Sequence, residues 1–154
     1  TRCQFYTGAA DWAAIRAVKG AVGIPVIANG DIVDAPTAAE ALRLSGADGV
    51  MVGRGVQGRP WLLAQIAAAL FGAPEPLVPT GGDLADLVIE HHMMMLDFYG
   101  PDLGIRTARK HLGWYLDAAG GDMTHRHALL TSTAPKEIHH LIRLALGETE
   151  RVAA

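Results

Sequence analysis

Apolar residues along the first seventy positions switch between a helical period and short unbroken runs. Trp12, Ile15, Val18 and Val22 recur at helical spacing behind Asp11, a natural N-cap, and Gly23 stops the run. Residues 24–28 form a β-branched run of the kind expected for a strand covered on both faces. Asp34 and Pro36 predict the start of a second helix, with Ala39, Leu42 and Leu44 along one side and Gly46 at its end. Residues 50–52 read as the next strand and 60–71 as the next helix. The order helix, strand, helix, strand, helix is the signature of an alternating α/β fold with parallel strands.

Between positions 72 and 82 the pattern breaks. Pro74, Pro76, Pro79, Gly81 and Gly82 mark a linker or domain boundary. No strand signal follows it. Residues 83–99, 103–116 and 135–146 read as helices, with a shorter one between 124 and 130, and Gly100-Pro101 and Gly120-Gly121 punctuate them. The expected architecture is α/β followed by all-α. Residues 1–72 supply the C-terminal βα units of a (β/α)₈ barrel, 73–82 the linker, and 83–154 a small helical bundle. A complete barrel of this type takes roughly 250 residues, and the chain has 154 and opens on Thr1 rather than Met. A C-terminal piece of a longer protein is therefore expected.

Bulk properties narrow the class. Half of the residues are hydrophobic, which suits a packed core rather than disorder. The net charge of −3 neither points to nucleic acid nor argues against it, because only a local basic face matters for phosphate contacts. One cysteine, Cys3, rules out an intrachain disulfide framework and fits a reducing compartment. No apolar run approaches the roughly 20 residues of a membrane helix, and no signal-peptide pattern opens the chain. A cytoplasmic protein with no membrane partner is expected.

Chemistry is suggested at two turns. Asn29-Gly30-Asp31 falls just past the carboxyl end of a predicted strand, where parallel sheets bind ligands. Gly30 permits close backbone approach, while Asn29 and Asp31 can orient a hydroxyl or a ring edge. A simple strand-to-helix turn fits the same residues equally well. Gly53-Arg54-Gly55 occupies the equivalent place one strand later, and its guanidinium suits a phosphate monoester. Neighbouring strands would make the two turns converge. Arg59, beside Pro60 at a predicted helix start, could face a polyanion, or be a solvated arginine.

In the helical half, Arg106, Arg109 and Lys110 stand at i, i+3 and i+4 and so share a helix face, followed by His111, Trp114 and Tyr115. Basic residues beside aromatics can track a nucleic-acid backbone. A solvated basic stripe above a Trp/Leu core seam is the alternative. The adjacent pairs His91-His92 and His139-His140 cannot chelate as i, i+4 partners do, so no metal is expected. Met93, Met94 and Met95 read as flexible core filler.

In series, Thr1-Arg2, Tyr6-Thr-Gly8, Ala10-Asp-Trp12, the run from Ile24 to Ile32, Gly46 to Arg54, Gln57-Gly-Arg-Pro-Trp61, Phe98-Tyr-Gly100 and Ala108-Arg-Lys-His111 resemble the bacterial tRNA-dihydrouridine synthases. The resemblance runs through nearly the whole chain and both halves. It implies an FMN-binding (β/α)₈ barrel joined to a helical domain that helps hold tRNA, and reduction of uridine to dihydrouridine with NADPH as electron source. Asn29, Gly30 and Asp31 match the family's FMN-contacting turn after the seventh strand, and Gly53 and Arg54 its phosphate-contacting turn after the eighth. The same resemblance strengthens Arg59, Arg106, Arg109 and Lys110 as tRNA contacts.

The departures are as informative. The family's catalytic cysteine sits on a loop of the middle barrel, upstream of Thr1, and Cys3 does not match it. The flavin-contacting lysine, the first-strand flavin segment and the histidine before Thr1-Arg2 also have no counterpart here. The expectation is a C-terminal fragment of an FMN-dependent synthase, monomeric when intact, with no catalytic residue of its own. Rival readings are another FMN- or phosphate-binding barrel oxidoreductase acting on a small molecule, and a non-catalytic RNA-binding fragment.

Overall fold

A computed structural model describes residues 8–147. Thr1, Arg2, Cys3 and Tyr6, and the readings placed on them, lie outside the described residues. The described residues divide into two compact units, one comprising residues 8–56 and 60–76, the other 57–59 and 77–147.

In the first unit the elements alternate: α1 (Trp12–Ala21), β1 (Ile27–Asn29), α2 (Ala35–Ser45), β2 (Gly49–Met51) and α3 (Leu62–Phe71). Asp11 caps α1 by accepting from the Ala14 amide at 3.0 Å. Asp34 and Thr37 build a reciprocal capping box at the start of α2, and Gly46 closes that helix in the left-handed conformation. The two strands pair in parallel, with Ala28 opposite Val50 and Asn29 opposite Met51. Ile32, Ala38, Ala41, Leu62 and Ile66 form the core, with Trp12, Val50, Val52 and Val56 packed against it.

Two expectations need correction here, and α1 adds a finding of its own. Within the described residues the first strand is covered on one face only, Ala28 being fully buried and Ile27 55% exposed. The buried side of α2 is Ala38, Ala41 and Ser45 rather than Ala39, Leu42 and Leu44. Small residues let the helix approach closely, and Ser45 satisfies its hydroxyl by donating to the Ala41 carbonyl at 2.6 Å. Finally, α1 has no buried residue at all. Polar contacts tie it down instead: Arg16 donates to the carbonyls of Arg43 and Leu44 at the end of α2, and Lys19 pairs with Asp48 at 2.6 Å.

The second unit contains α4 (Gly81–Tyr99), α5 (Pro101–Ala119), α6 (Arg126–Thr131) and α7 (Pro135–Leu146). Gly100 and Pro101 turn α4 into α5. Here α4 packs on α5 and α7, and Leu84, Val88, Leu112, Leu116, Leu129, Ile138 and Ile142 fill the interior. Of the three methionines expected as filler, only Met95 is buried, while Met93 and Met94 are exposed. Successive helical residues point about 100° apart, so three in a row cannot all face one core. Among the described residues no helix is long and apolar enough to cross a membrane.

Candidate functional site

The parallel register of β1 and β2 brings the turns that follow them side by side. Immediately after β1, Gly30 and Asp31 both adopt positive φ, at 112° and 53°. A Cβ on Gly30 would stand 2.7 Å from the Ala10 Cβ, so the position requires glycine on both conformational and steric grounds. Aspartate tolerates the left-handed region better than most residues. The Asp31 carboxylate is used twice: one oxygen accepts from the Ala10 amide at 2.6 Å, and the other lies 3.6 Å from the Arg54 guanidinium. Trp12 adds a third tie by donating its indole N–H to the Gly30 carbonyl at 2.9 Å.

Arg54 follows β2 in a short 3₁₀ turn (Arg54–Val56). Its side chain is 70% exposed, and at 3.6 Å its pairing with Asp31 is loose and screened. A Cβ on Gly53 would meet nothing within 4 Å, so the space over this turn is open. Asn29, Gly30, Asp31, Gly53 and Arg54 thus lie at the carboxyl ends of the two paired strands, where Asp31 and Arg54 meet. The exposed cation, with open backbone beside it, has the donors that a phosphate monoester needs. Ala10 and Trp12 are the supporting residues that sequence reasoning missed, because no local pattern links them to a turn about twenty positions away.

In the second unit, Arg106, Arg109 and Lys110 all lie on α5, but not equivalently. Ile105, Ala108, Leu112 and Leu116 are the buried stripe. Arg109 stands one turn beyond Ile105, at the border of that stripe, and is partly buried, whereas Arg106 and Lys110 are exposed. The Lys110 ammonium rests 5.8 Å from the centre of the Trp114 ring. Arg59 belongs to this unit too. Its neighbour Gly58 is buried at φ 72°, and a Cβ there would overlap the Trp114 carbonyl and crowd Ala118. The Gln57–Arg59 segment is therefore seated directly on α5, another contact without a sequence signal.

The histidines do meet, across helices rather than along them. His91 Nδ1 lies 3.1 Å from the Tyr115 hydroxyl, with the His111 ring edge-on to His91 at 5.3 Å. His92 reaches His139 on α7. Burial lowers the pKa of His91, His111 and His139 and raises that of Tyr115. For His92, burial foremost, then His139 and His91, lowers it from 6.5 to about 4. Among the described residues no group of three His, Cys, Asp or Glu side chains is arranged to hold a metal ion.

Residues 1–149 match the family described as Dihydrouridine synthase (Dus). A "Probable tRNA-dihydrouridine synthase" of Rhodobacter capsulatus is 58% identical over 150 residues, covering 97% of this chain and 46% of the relative. Proteins of the same description from Rhizobium leguminosarum bv. phaseoli and Mycobacterium tuberculosis are 52% and 44% identical, covering 90% and 84% of this chain but 42% and 33% of their own lengths. The chain thus spans less than half the length of these relatives.

Proposed function

The chain belongs to the dihydrouridine synthase family, and from that premise we propose that it is the C-terminal part of an oxidoreductase that reduces uridine in tRNA to 5,6-dihydrouridine, with FMN as cofactor and NADPH as reductant. Residues 1–72 would complete a (β/α)₈ barrel and residues 83–154 would form a helical tRNA-binding domain, in a cytoplasmic monomer. The observation that carries this reading is the convergence of Gly30-Asp31 with Gly53-Arg54 beyond two in-register parallel strands.

In this reading each residue has a bounded task. Arg54, with the open backbone at Gly53, holds the cofactor's phosphate. Asn29 and Asp31 orient its ribityl hydroxyls or ring edge, and Ala10 and Trp12 fix the turn that presents them. Bound there, the flavin supplies the two-electron chemistry that reduces the uracil 5,6 double bond. The base must first leave its stack to be reached, so a surface that grips tRNA away from the cofactor is required. Arg59, Arg106, Arg109 and Lys110 would provide it. The proton donor is assigned to a cysteine upstream of Thr1.

The test uses the intact protein. It should copurify with flavin and restore dihydrouridine, read by nucleoside mass spectrometry, to tRNA from a strain lacking the modification. Arg54→Ala should lower the flavin content severalfold. Full flavin retention in that variant would sink the phosphate assignment, and absent dihydrouridine with flavin bound would sink the reaction.

A further inference from the structure

Very little chain separates the Arg54 turn from the residues seated on α5. The Val56 amide donates to the Gly53 carbonyl at 3.4 Å, and its side chain packs against the core of the first unit. Gly55, just before it, is buried, and a Cβ there would overlap the Ile32 carbonyl and stand 3.2 Å from the Val33 Cα. The backbone is thus pressed onto the residues that follow the Asn29–Asp31 turn. Two positions after Val56, Gly58 is buried within the second unit against the Trp114 carbonyl and Ala118, again without room for a Cβ. The chain then returns, and Leu62 is back in the core of the first unit.

A segment held in this way has no slack. Gln57 alone lies between Val56 and Gly58, so the two packed points are at most about 7 Å apart along the chain. Packed backbone shifts by repacking rather than by stretching. A change in the Arg54 turn is therefore felt at Gly58, and through it at Trp114, the residue whose ring lies 5.8 Å from the Lys110 ammonium. The turn has room to respond, because Arg54 is 70% exposed and pairs with Asp31 only at 3.6 Å. The other passage between the units, from Pro76 to Leu77, is different: Leu77 is 96% exposed and the surrounding stretch forms neither helix nor strand.

Resting on the cofactor and tRNA reading above, we propose that Gln57–Arg59 is a coupling strap, with Gly58 as its positioning residue, through which filling of the phosphate turn and loading of RNA on α5 strengthen one another. Both ligands favour the seated strap, so each binds more tightly when the other is present.

The intact protein, with and without its flavin, should be titrated with an unmodified tRNA transcript at one salt concentration, and FMN should be titrated with and without that tRNA. FMN should tighten tRNA binding about fivefold or more, and tRNA should tighten FMN by the same factor, since coupling is reciprocal. Two glycines inserted between Val56 and Gln57, with two more between Arg59 and Pro60, should bring both factors to about one while each ligand still binds alone. The same insertion between Pro76 and Leu77 should leave both factors at the wild-type values. Wild-type factors of about one would overturn the strap. So would factors that survive the paired insertion, or an equal loss from the insertion after Pro76. If the paired insertion fails to fold, a single glycine after Val56 takes its place under the same expectations. If the flavin-free protein does not stay folded, flavin lost on dilution with and without tRNA gives the same comparison. Wild-type protein that takes up no flavin or no tRNA would instead defeat the functional reading, which is seen before any variant is made.

Discussion

Nδ1 of His92 lies 3.1 Å from Nε2 of His139, so two imidazoles join α4 to α7 in the interior of the second unit. His92 is 0% exposed and its Nε2 has no partner. A proton on Nδ1, donated to His139, leaves only a bare lone pair unsatisfied. The reverse arrangement would strand a buried N–H, which costs more. Burial therefore favours the neutral form of His92 in this contact. His91 on α4 and the Arg143 guanidinium on α7, itself paired with Asp86, oppose further positive charge, and Tyr115 and His111 on α5 provide no carboxylate.

Because the His92 pKa in the folded chain is about 4, against 6.5 ordinarily, the unfolded chain binds the proton more readily. Stability from this site is complete above about pH 6.5 and is lost as the pH falls toward about 4, by up to about 3 kcal/mol. Denaturant unfolding at a series of pH values should show that decline. His92→Met should flatten it over the same range. An unchanged slope in the variant would remove His92 as the cause.

Gly58 admits no side chain. It combines positive φ with a backbone approach to Trp114 that leaves no room for a Cβ. Gly58→Ala should cost about 2 kcal/mol or more, since the Trp114 carbonyl belongs to a helix and cannot move aside. Gly53→Ala, in open space, is the control and should leave the melting temperature within a few degrees of wild type. Equal melting temperatures for the two variants would contradict the tight seating of Gln57–Arg59.

What could be read from the sequence follows from the range of the forces involved. The caps at Asp11 and Asp34 are legible because a cap is settled within three or four residues. The start and end of α7 are legible from Pro135 and the apolar stripe through Ile138, Leu141, Ile142 and Ala145. The buried side of α2 is not, because hydrophobicity ranks Leu42 and Leu44 above Ala38 and Ser45, while close packing favours the smaller residues. At the candidate site, the turn residues stand out by type and by position after a strand. Their supports, Ala10 and Trp12, are joined to the turn only through space, as are His92 and His139, 47 positions apart.

Asp31 holds the candidate phosphate turn in place as well as facing it. Asp31→Ala would remove both the acceptor for the Ala10 amide and the carboxylate beside Arg54. The expected loss is about 1 kcal/mol of stability, with weaker flavin retention in the intact protein. Asp31→Asn keeps an acceptor and should restore most of the stability. Comparing flavin content in the two separates positioning from charge. If both retain flavin fully, Asp31 serves only to hold the turn.

The two units should differ when separated. In the first, Val18, Ile24, Ile27, Met51 and Leu63 are each more than half exposed, and the two-stranded sheet presents unpaired edges. A fragment of residues 8–76 should therefore aggregate or melt without cooperativity. Residues 77–147 contain α4–α7, with interior positions such as Leu116, Leu129, Ile138 and Ile142 almost fully buried. That fragment should unfold cooperatively, with a modest loss from the missing Gln57–Arg59 segment that seats on Trp114. Circular dichroism melts and sedimentation of the two fragments decide the matter. A cooperative, monomeric 8–76 would show that the exposed apolar positions of the first unit need no further covering.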